Sequence, residues 1–121
     1  MEIGVDVVEI DRIRGNFKKH GKRFLNRIYT KGELNYCFKK TDPYPHLAAR
    51  YAAKEAVFKA LSFKKGSAIH WQEIEVVSES SGKPKIVING ETAKESKKRI
   101  KRILLSLSHS RKFAVAQVVA L

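Results

Sequence analysis

The sequence predicts an α+β fold, and three features of the chain indicate this class. Residues 46–61 contain neither Gly nor Pro and are rich in alanine, which has the highest helix propensity. Residues 3–10 are mostly β-branched and apolar, as is typical of a strand. Residues 103–109 and 113–121 are apolar segments on either side of a polar turn, which indicates an antiparallel hairpin.

The remaining elements follow from local signals along the chain. Asp11 stands where a capping residue would begin a helix, and Thr30 and Glu33 have the spacing of a capping box. Two prolines mark residues 41–46 as a loop, and a Gly-Lys-Pro turn at 80–84 indicates a second hairpin. In chain order, we predict a strand at 3–10, helices at 12–20 and 31–39, and a long helix at 46–61 that is ended by the two lysines and the glycine at 64–66. Strands at 71–78 and 85–88, a helix at 91–102, and strands at 103–109 and 113–121 follow.

The charge balance of the chain indicates an anionic partner. Its 121 residues include 25 Lys and Arg against 12 Asp and Glu, a formal net charge of +13. Such an excess favours nucleic acid, an acidic protein, phosphorylated ligands or a membrane surface as the partner. Hydrophobic residues make up 43% of the chain, so extended disorder is not expected. The length predicts a single domain over residues 1–121.

Cysteine usage and hydropathy predict a cytoplasmic protein. Cys37 is the only cysteine, so no intrachain disulfide can form, which suits a reducing compartment. We expect it to be a buried structural thiol on a helix rather than a reactive one. The N-terminus does not have the pattern of a signal peptide, and no run of 18 apolar residues could span a membrane.

Asp6 is the first candidate for chemistry, because it interrupts an apolar strand. In the alternation of a strand it shares a face with Gly4 and Val8. A carboxylate in such a position is costly to bury unless it is paired or bound to a metal ion. The alternative is a strand-end residue that accepts hydrogen bonds from backbone amides.

Glu55 and Lys59 form the second candidate group. They lie one turn apart on one face of the long helix, since each residue advances by about 100°. A carboxylate and an ammonium there could hold a cation and a phosphate together, or they could form an ordinary surface ion pair. Asp6 and Glu55 would suit Mg²⁺, which usually takes only one or two protein carboxylates. No sequence distance places these two carboxylates side by side.

The end of the first apolar segment of the C-terminal hairpin is the third candidate. His109 lies between two serines and is followed by two cations, a group of small donors that could hold phosphate oxygens. A solvated turn residue is the alternative. His20, His46 and His70 have no partner at metal-ligand spacing, so a zinc site is not expected. Gly82 would let a ligand approach the backbone, although hairpin formation alone also explains it.

Basic residues concentrate in two clusters of different composition. The first combines a basic amphipathic helix with a basic loop, and its several arginines favour bidentate recognition of carboxylate or phosphate over simple solvation. The second is rich in lysine, and solvation is its expected role. The first cluster comprises Arg12, Arg14, Lys18, Lys19, Lys22, Arg23, Arg27 and Lys31, and the second comprises Lys94, Lys97, Lys98, Arg99, Lys101 and Arg102.

Three segments together resemble one known family. Residues 4–13 (GVDVVEIDRI), 50–60 (RYAAKEAVFKA) and 107–110 (LSHS) are similar in order and spacing to the holo-[acyl-carrier-protein] synthases, the small bacterial branch of the 4′-phosphopantetheinyl transferases. The resemblance covers nearly the whole chain. It implies a small antiparallel sheet packed with a long central helix, assembled as a homotrimer with its sites at subunit interfaces.

The resemblance also implies a reaction and its residues. The 4′-phosphopantetheine group of coenzyme A passes to a serine of apo-acyl carrier protein in fatty acid biosynthesis, and 3′,5′-ADP is released. Asp6 and Glu55 would bind Mg²⁺, and Lys59 would complete the catalytic set. The general base is open among Glu55, Asp6 and a metal-bound water. The implied coenzyme A contacts are Arg50, Lys54, Lys59, Gly82, Lys83, Pro84 and His109. The implied carrier-docking residues are Arg12, Arg14, Arg23 and Arg27.

A small nucleic-acid-binding module is the alternative, since the sequence pI is ≈ 10.0 and one helix is basic. It would bind generic strands with a steep salt dependence and without Mg²⁺. Aromatic residues are not interleaved with the basic ones as a stacking platform requires, and Asp6 and Glu55 would have no role. We therefore expect neither a nucleic-acid nor a membrane partner.

Overall fold

The computed structural model describes residues 1–61, 70–98 and 100–121. These ranges combine helices with strands that pair in the antiparallel sense, so the predicted α+β class is confirmed. The elements are β1 (Glu2–Glu9), α1 (Ile10–His20), α2 (Lys22–Ile28), α3 (Lys31–Phe38), α4 (Tyr44–Leu61), a 3₁₀ turn (Trp71–Glu73), β2 (Ile74–Ser78), β3 (Pro84–Ile88), α5 (Gly90–Lys97), β4 (Ile103–His109) and β5 (Phe113–Ala120).

The described strands form two antiparallel sheets rather than one. The larger sheet has the order β1-β5-β4, and β2 and β3 form a separate hairpin. In the larger sheet Asp6 lies opposite Ala116, and His109 lies opposite Ala114. Directly opposed residues of an antiparallel sheet point to the same face. Asp6 on one edge strand and His109 on the other therefore share the face that is covered by α4.

Small residues let α4 lie directly on this sheet. Its face toward the sheet is lined with fully buried alanines, Ala52 and Ala56 among them. A Cβ added at Gly4 would lie 2.0 Å from the carbonyl oxygen of Ala56, so the backbones of β1 and α4 are in contact there. Gly4 and the side chain of Val8 are buried beside α4, whereas Ile3 is exposed on the other face. The close approach brings the side chain of Asp6 to the flank of the helix.

Several boundaries differ from those predicted near the N-terminus. The N-cap of α1 is Glu9, and Asp11 lies in the first turn, where its charge is favourable to the helix dipole. The segment predicted as a basic loop forms α2. The long helix begins at Tyr44, inside the predicted loop, because Pro45 falls in the first turn, where no helical partner for its missing N–H is needed. The capping box of Thr30 is confirmed, with reciprocal hydrogen bonds to Glu33.

Two further boundaries differ toward the C-terminus. The predicted strand at 71–78 begins as a 3₁₀ turn and becomes extended only at Ile74. The predicted helix at 91–102 ends at Lys97, because the amides of Lys101 and Arg102 donate to the carbonyl of Leu121 and so join the sheet instead. The predicted end of the long helix at 64–66 lies outside the described residues.

The expectation for Cys37 is confirmed. Its thiol is buried and free, and burial raises its pKa to about 11. A thiol with this pKa is almost fully protonated at neutral pH and is a poor nucleophile. Among the described residues, no helix has the length and apolar character needed to cross a bilayer.

Candidate active site

A carboxylate cluster lies where β1 meets α4. The Lys59 ammonium donates to Asp6 Oδ1 at 2.9 Å and to the carbonyl oxygen of Val5 at 3.0 Å. Lys59 is 54% exposed and Asp6 only 15%, so the ammonium reaches the carboxylate from the solvent side. An ion pair between Lys59 and Glu55 was one of the two alternatives for this face of the helix. The structure instead pairs Lys59 with Asp6, because Gly4 holds β1 tightly against α4.

The two carboxylates affect each other electrostatically. The pKa of Glu55 is raised, first by burial and then by the negative charge of Asp6. Lys59, a hydrogen bond from Tyr51 and the charge of Arg12 oppose this shift. Burial, followed by the charge of Glu55, also raises the pKa of Tyr51. The proximity of Asp6 and Glu55, which no spacing in the sequence required, is therefore a property of the fold.

The donors of this cluster suit Mg²⁺. Among the described residues, no group of three or more His, Cys, Asp or Glu side chains could hold a metal ion. Asp6 and Glu55 are two carboxylates from separate elements, and Mg²⁺ binds such sets while keeping waters and phosphate oxygens as its other ligands. A divalent cation between them would relieve the repulsion that raises the pKa of Glu55.

Aromatic rings form a wall beside the carboxylates. Tyr51 stacks on Trp71 with ring centroids 5.3 Å apart at 22°, and Phe58 meets Trp71 edge-on at 5.3 Å. The Arg12 guanidinium lies 5.5 Å from the centroid of the Tyr51 ring, and its Nη2 is 3.5 Å from the Tyr51 hydroxyl. Sequence reasoning missed Tyr51 and Trp71. Tyr51 lies four residues before Glu55, and this i, i+4 spacing was the available signal.

A pocket of about 190 Å³ lies on the other side of α4. Arg50 is only 3% exposed and packs on the Tyr36 ring, with its guanidinium carbon 4.0 Å from the ring centroid. Among the described residues, Arg50 Nε is the one buried side-chain nitrogen or oxygen without a hydrogen-bond partner. Buried donors normally have a partner, so this arginine has donor capacity for a ligand. The residues that line the pocket include Arg50, Gly82, Pro84 and His109 of the predicted coenzyme A contacts, together with Tyr36 and His46.

Lys54 is not placed as predicted. Its side chain is fully buried, and its ammonium pairs with Glu33 at 2.8 Å and donates to the carbonyls of Trp71 and Ile74. All three ammonium donors are therefore used inside the protein. This position disagrees with the expectation that Lys54 contacts coenzyme A and indicates a structural role, because its ammonium is buried among Glu33 and the carbonyls of Trp71 and Ile74.

The remaining predicted residues lie on the surface. Lys83 is exposed in the turn between β2 and β3, beside Gly82 and Pro84. Arg14 is half-buried, pairs with Asp11 and lies over the Tyr44 ring at 4.7 Å. The arginines predicted to dock a carrier lie on two consecutive helices, with Arg12 and Arg14 on α1 and Arg23 and Arg27 on α2.

Comparison with known proteins defines the class. A sequence profile of the 4′-phosphopantetheinyl transferase superfamily matches residues 2–118. The chain therefore belongs to this superfamily. Within it, the chain is similar to the holo-[acyl-carrier-protein] synthases, so the family inferred from its three sequence segments is confirmed.

Similarity extends over nearly the full length. The holo-[acyl-carrier-protein] synthase of Chlamydia trachomatis serovar D is 48% identical over 118 residues, which is 98% of this chain and 97% of the relative. The crystal structure of the synthase from Neisseria meningitidis has a TM-score of 0.90 and 34% identity, covering 99% of this chain and 97% of that one. The Helicobacter pylori synthase, solved in complex with coenzyme A, has a TM-score of 0.85 and 29% identity over 98% and 99% of the two chains.

Proposed function

We propose that this protein transfers the 4′-phosphopantetheine group of coenzyme A to a serine of apo-acyl carrier protein, releasing 3′,5′-ADP, in fatty acid biosynthesis. The observation that carries the proposal is the meeting of Asp6, Glu55 and Lys59 at the junction of β1 and α4. Two carboxylates and an exposed ammonium match the needs of phosphoryl transfer, which depends on positioning and charge neutralisation. The alternative of a nucleic-acid-binding module is not supported, because the family match covers the chain.

Asp6 and Glu55 would hold Mg²⁺, and the bound ion would neutralise charge on the pyrophosphate of coenzyme A. Lys59 is exposed enough to exchange its contact with Asp6 for a phosphate oxygen. The serine oxygen then forms a bond to the phosphorus next to pantetheine, and the bond from that phosphorus to the bridging oxygen breaks. The serine proton passes to one of the carboxylates at this junction, Asp6 or Glu55, as the general base.

The pocket beside Arg50 would bind the nucleotide end of coenzyme A. Its walls combine a buried guanidinium, the His109 imidazole and the turn at Gly82 and Pro84, with Lys83 at the rim. The related synthase of Helicobacter pylori was solved in complex with coenzyme A. Coenzyme A has a pyrophosphate and a separate phosphomonoester, and this chain has two separate places to receive them, the carboxylate cluster with Lys59 and the pocket with Arg50.

Two observations support a homotrimer with sites between subunits. Arg50 and Glu55 are five residues apart on α4, so their side chains diverge by about 140° around the helix. The face of the sheet away from α4 also exposes Ile3, Val5 and Val7 on β1 and Phe113 on β5, at 46–59%. A large exposed apolar patch favours burial against another copy. In such an assembly one subunit would supply the carboxylates and its neighbour the nucleotide pocket.

The carrier would dock on the arginines of α1 and α2. Arg23 and Arg27 are exposed, and Arg12 connects this surface to the aromatic wall beside Glu55. A surface of this sign attracts an acidic protein and brings its serine to the carboxylate cluster. We place the reaction in the cytoplasm, where the free thiol of Cys37 remains reduced.

Incubation with coenzyme A, Mg²⁺ and apo-acyl carrier protein tests the proposal. We expect the carrier to gain the mass of one phosphopantetheine group and 3′,5′-ADP to appear in equal amount. Chelation of the divalent ion should stop both. If several apo-carriers stay unmodified while an established transferase converts them, the proposed activity is wrong.

A further inference from the structure

We propose that His46 is a second histidine of the anion pocket, which takes up a proton when the phosphomonoester of coenzyme A binds there. This inference rests on the proposed function, since it assigns a residue to the recognition of that substrate. His46 has no place in the family resemblance described above, and no metal-ligand spacing involves it.

The geometry brings His46 to the same ligand space as Arg50. The two residues are four positions apart on α4 and so share one face of the helix. The His46 and His109 rings have centroids 5.6 Å apart at 69°, and both residues line the pocket. Tyr36 meets the edge of the His46 ring at 6.0 Å and also supports the guanidinium of Arg50. Two imidazoles and a guanidinium therefore surround one space of about 190 Å³.

The charges around His46 disfavour a further positive charge in this pocket. The groups that face it are Tyr36 and Lys40 from α3 and its end, Asp42 from the following loop, Arg50 from α4 and His109 from β4. Burial and then His109, Lys40 and Arg50 lower the pKa of His46, and only Asp42 raises it. Without ligand, His46 is thus mostly neutral at pH 7.

A dianionic ligand reverses this balance. A phosphomonoester loses its second proton with a pKa of about 6, so it is a dianion at neutral pH. Beside it the protonated form of His46 is favoured, and a hydrogen bond from an imidazolium to a phosphate oxygen is stronger than one between neutral groups. Binding then takes up a proton at His46. Affinity should fall as the pH rises through the pKa of His46 in the complex.

The unpaired Nε of Arg50 supports the same ligand. Arg50 is only 3% exposed and is one of the residues that line the pocket, so this nitrogen is a buried donor beside the ligand space. The pyrophosphate is assigned to the carboxylate cluster on the other side of α4, with Lys59 and the divalent ion. The phosphomonoester is therefore the phosphate group left for Arg50, His46 and His109.

Calorimetric titration of coenzyme A and of 3′-dephospho-coenzyme A tests this inference. Three proteins are compared between about pH 6 and pH 8 in buffers of different ionisation enthalpy. They are the wild type, the His46→Phe variant and the control variant His20→Phe, whose native histidine is exposed at the end of α1. We expect the wild type and the control to take up protons with coenzyme A. The His46→Phe variant should lose most of this uptake and bind about tenfold more weakly near pH 6.5, with little change near pH 8.

Each other outcome has a defined meaning. Equal proton uptake and equal pH dependence in the wild type and His46→Phe would overturn the role of His46 while leaving coenzyme binding intact. A dependence on His46 that is the same for 3′-dephospho-coenzyme A would overturn the assignment to the phosphomonoester. No binding of coenzyme A by the wild type would overturn the proposed function itself. If His46→Phe does not melt cooperatively, His46→Gln gives the same test, because it keeps a donor that does not titrate.

Discussion

Lys54 and Lys59 lie on the same helix, but their surroundings give them opposite roles. Lys54 is fully buried, and its ammonium is satisfied by Glu33 and two backbone carbonyls. Lys59 is 54% exposed and contacts Asp6 from the solvent side, where a phosphate oxygen can replace the carboxylate. Glu55 lies between them in the chain with a raised pKa, mainly from burial and from Asp6. A residue held at an electrostatic cost is typical of a functional site.

Glu55→Gln should separate activity from stability. We expect kcat to fall by about 100-fold or more, because the substitution removes one of the two carboxylates that would hold the divalent ion. The raised pKa means that the folded state binds more protons at Glu55 than the unfolded state does. Stability is therefore lost as the pH rises through that pKa, and the variant avoids this loss.

Thermal unfolding without divalent ions measures the expected effect of this substitution on stability. The melting temperature of Glu55→Gln at pH 7 should equal or exceed that of the wild type, and the difference should vanish below about pH 4. Glu95→Gln, at an exposed position on α5, is the matched control and should change neither quantity. A clear loss of stability at pH 7 would contradict the electrostatic account of Glu55.

At the scale of elements, one buried ion pair and one close backbone contact hold the site together. Glu33 on α3 accepts from Lys54 on α4 and from the backbone amide of Val76 on β2, so the pair joins three elements. Gly4 lets β1 touch α4 at Ala56. The first contact anchors the middle of α4, and the second brings Asp6 to the flank on which Glu55 lies.

Lys54→Met should destabilise the protein by about 3–5 kcal/mol, because it leaves the carboxylate of Glu33 buried without its cation. Urea denaturation measures this change. The double variant Glu33→Gln and Lys54→Met should recover part of the loss, since both charges are then absent. Lys59→Met is the matched substitution at an exposed position and should cost less than about 1 kcal/mol. Equal effects of the two single lysine variants would contradict the assigned roles.

Gly4→Ala should cost about 1–3 kcal/mol or more, because the new methyl group would lie 2.0 Å from the Ala56 carbonyl oxygen. Transfer activity should fall as well, since β1 must shift and carries Asp6 with it. Gly15→Ala is the control: a Cβ there meets nothing within 4 Å. On exposed α1 it should stabilise the protein by about 0.5–1 kcal/mol. If the two substitutions shift the denaturation midpoint in the same direction from that of the wild type, the close-contact explanation is contradicted.

At the scale of the whole molecule, the outer face of the larger sheet exposes apolar side chains that the described residues of one chain leave uncovered. Ile3 and Val7 are 57% and 59% exposed on the edge strand β1, opposite the face that packs on α4. The carboxylate cluster and the pocket beside Arg50 lie on different sides of α4. A second copy that covers the outer face could unite one cluster with the pocket of its neighbour.

Subunit mixing tests this arrangement. Glu55→Gln removes the carboxylate half of a site, and Arg50→Gln removes the pocket half, so each variant alone should be nearly inactive. Chains that are unfolded and refolded together should regain about one quarter of the wild-type sites, if each site takes one half from each of two subunits. Transfer activity and sedimentation measure the outcome. No recovery in mixtures that do form oligomers would place both halves of a site in one subunit.

Local patterns were sufficient for most elements but not for their ends. The capping box at Thr30 and Glu33 predicted the start of α3 correctly, since its partners are neighbours in sequence. The predicted end of α5 was wrong because the amides of Lys101 and Arg102 donate to the carbonyl of Leu121. This contact joins segments that are far apart in the chain. Asp11 was wrong as a cap because Glu9, at the end of β1, already occupies that position.

The sequence by itself determined the fold class, the alternation that sets Asp6 beside Gly4 and Val8, and the motif segments that identify the family. These are properties of residue type and spacing along one chain. Only the tertiary structure decided that Lys59 pairs with Asp6, that Lys54 is buried with Glu33, and that Tyr51 lies against Trp71. The physical reason is that burial and charge pairing depend on which elements meet in space. Spacing along α4 alone makes Lys54 and Lys59 look equivalent, whereas the packing of β1, α3 and β2 against that helix makes them different.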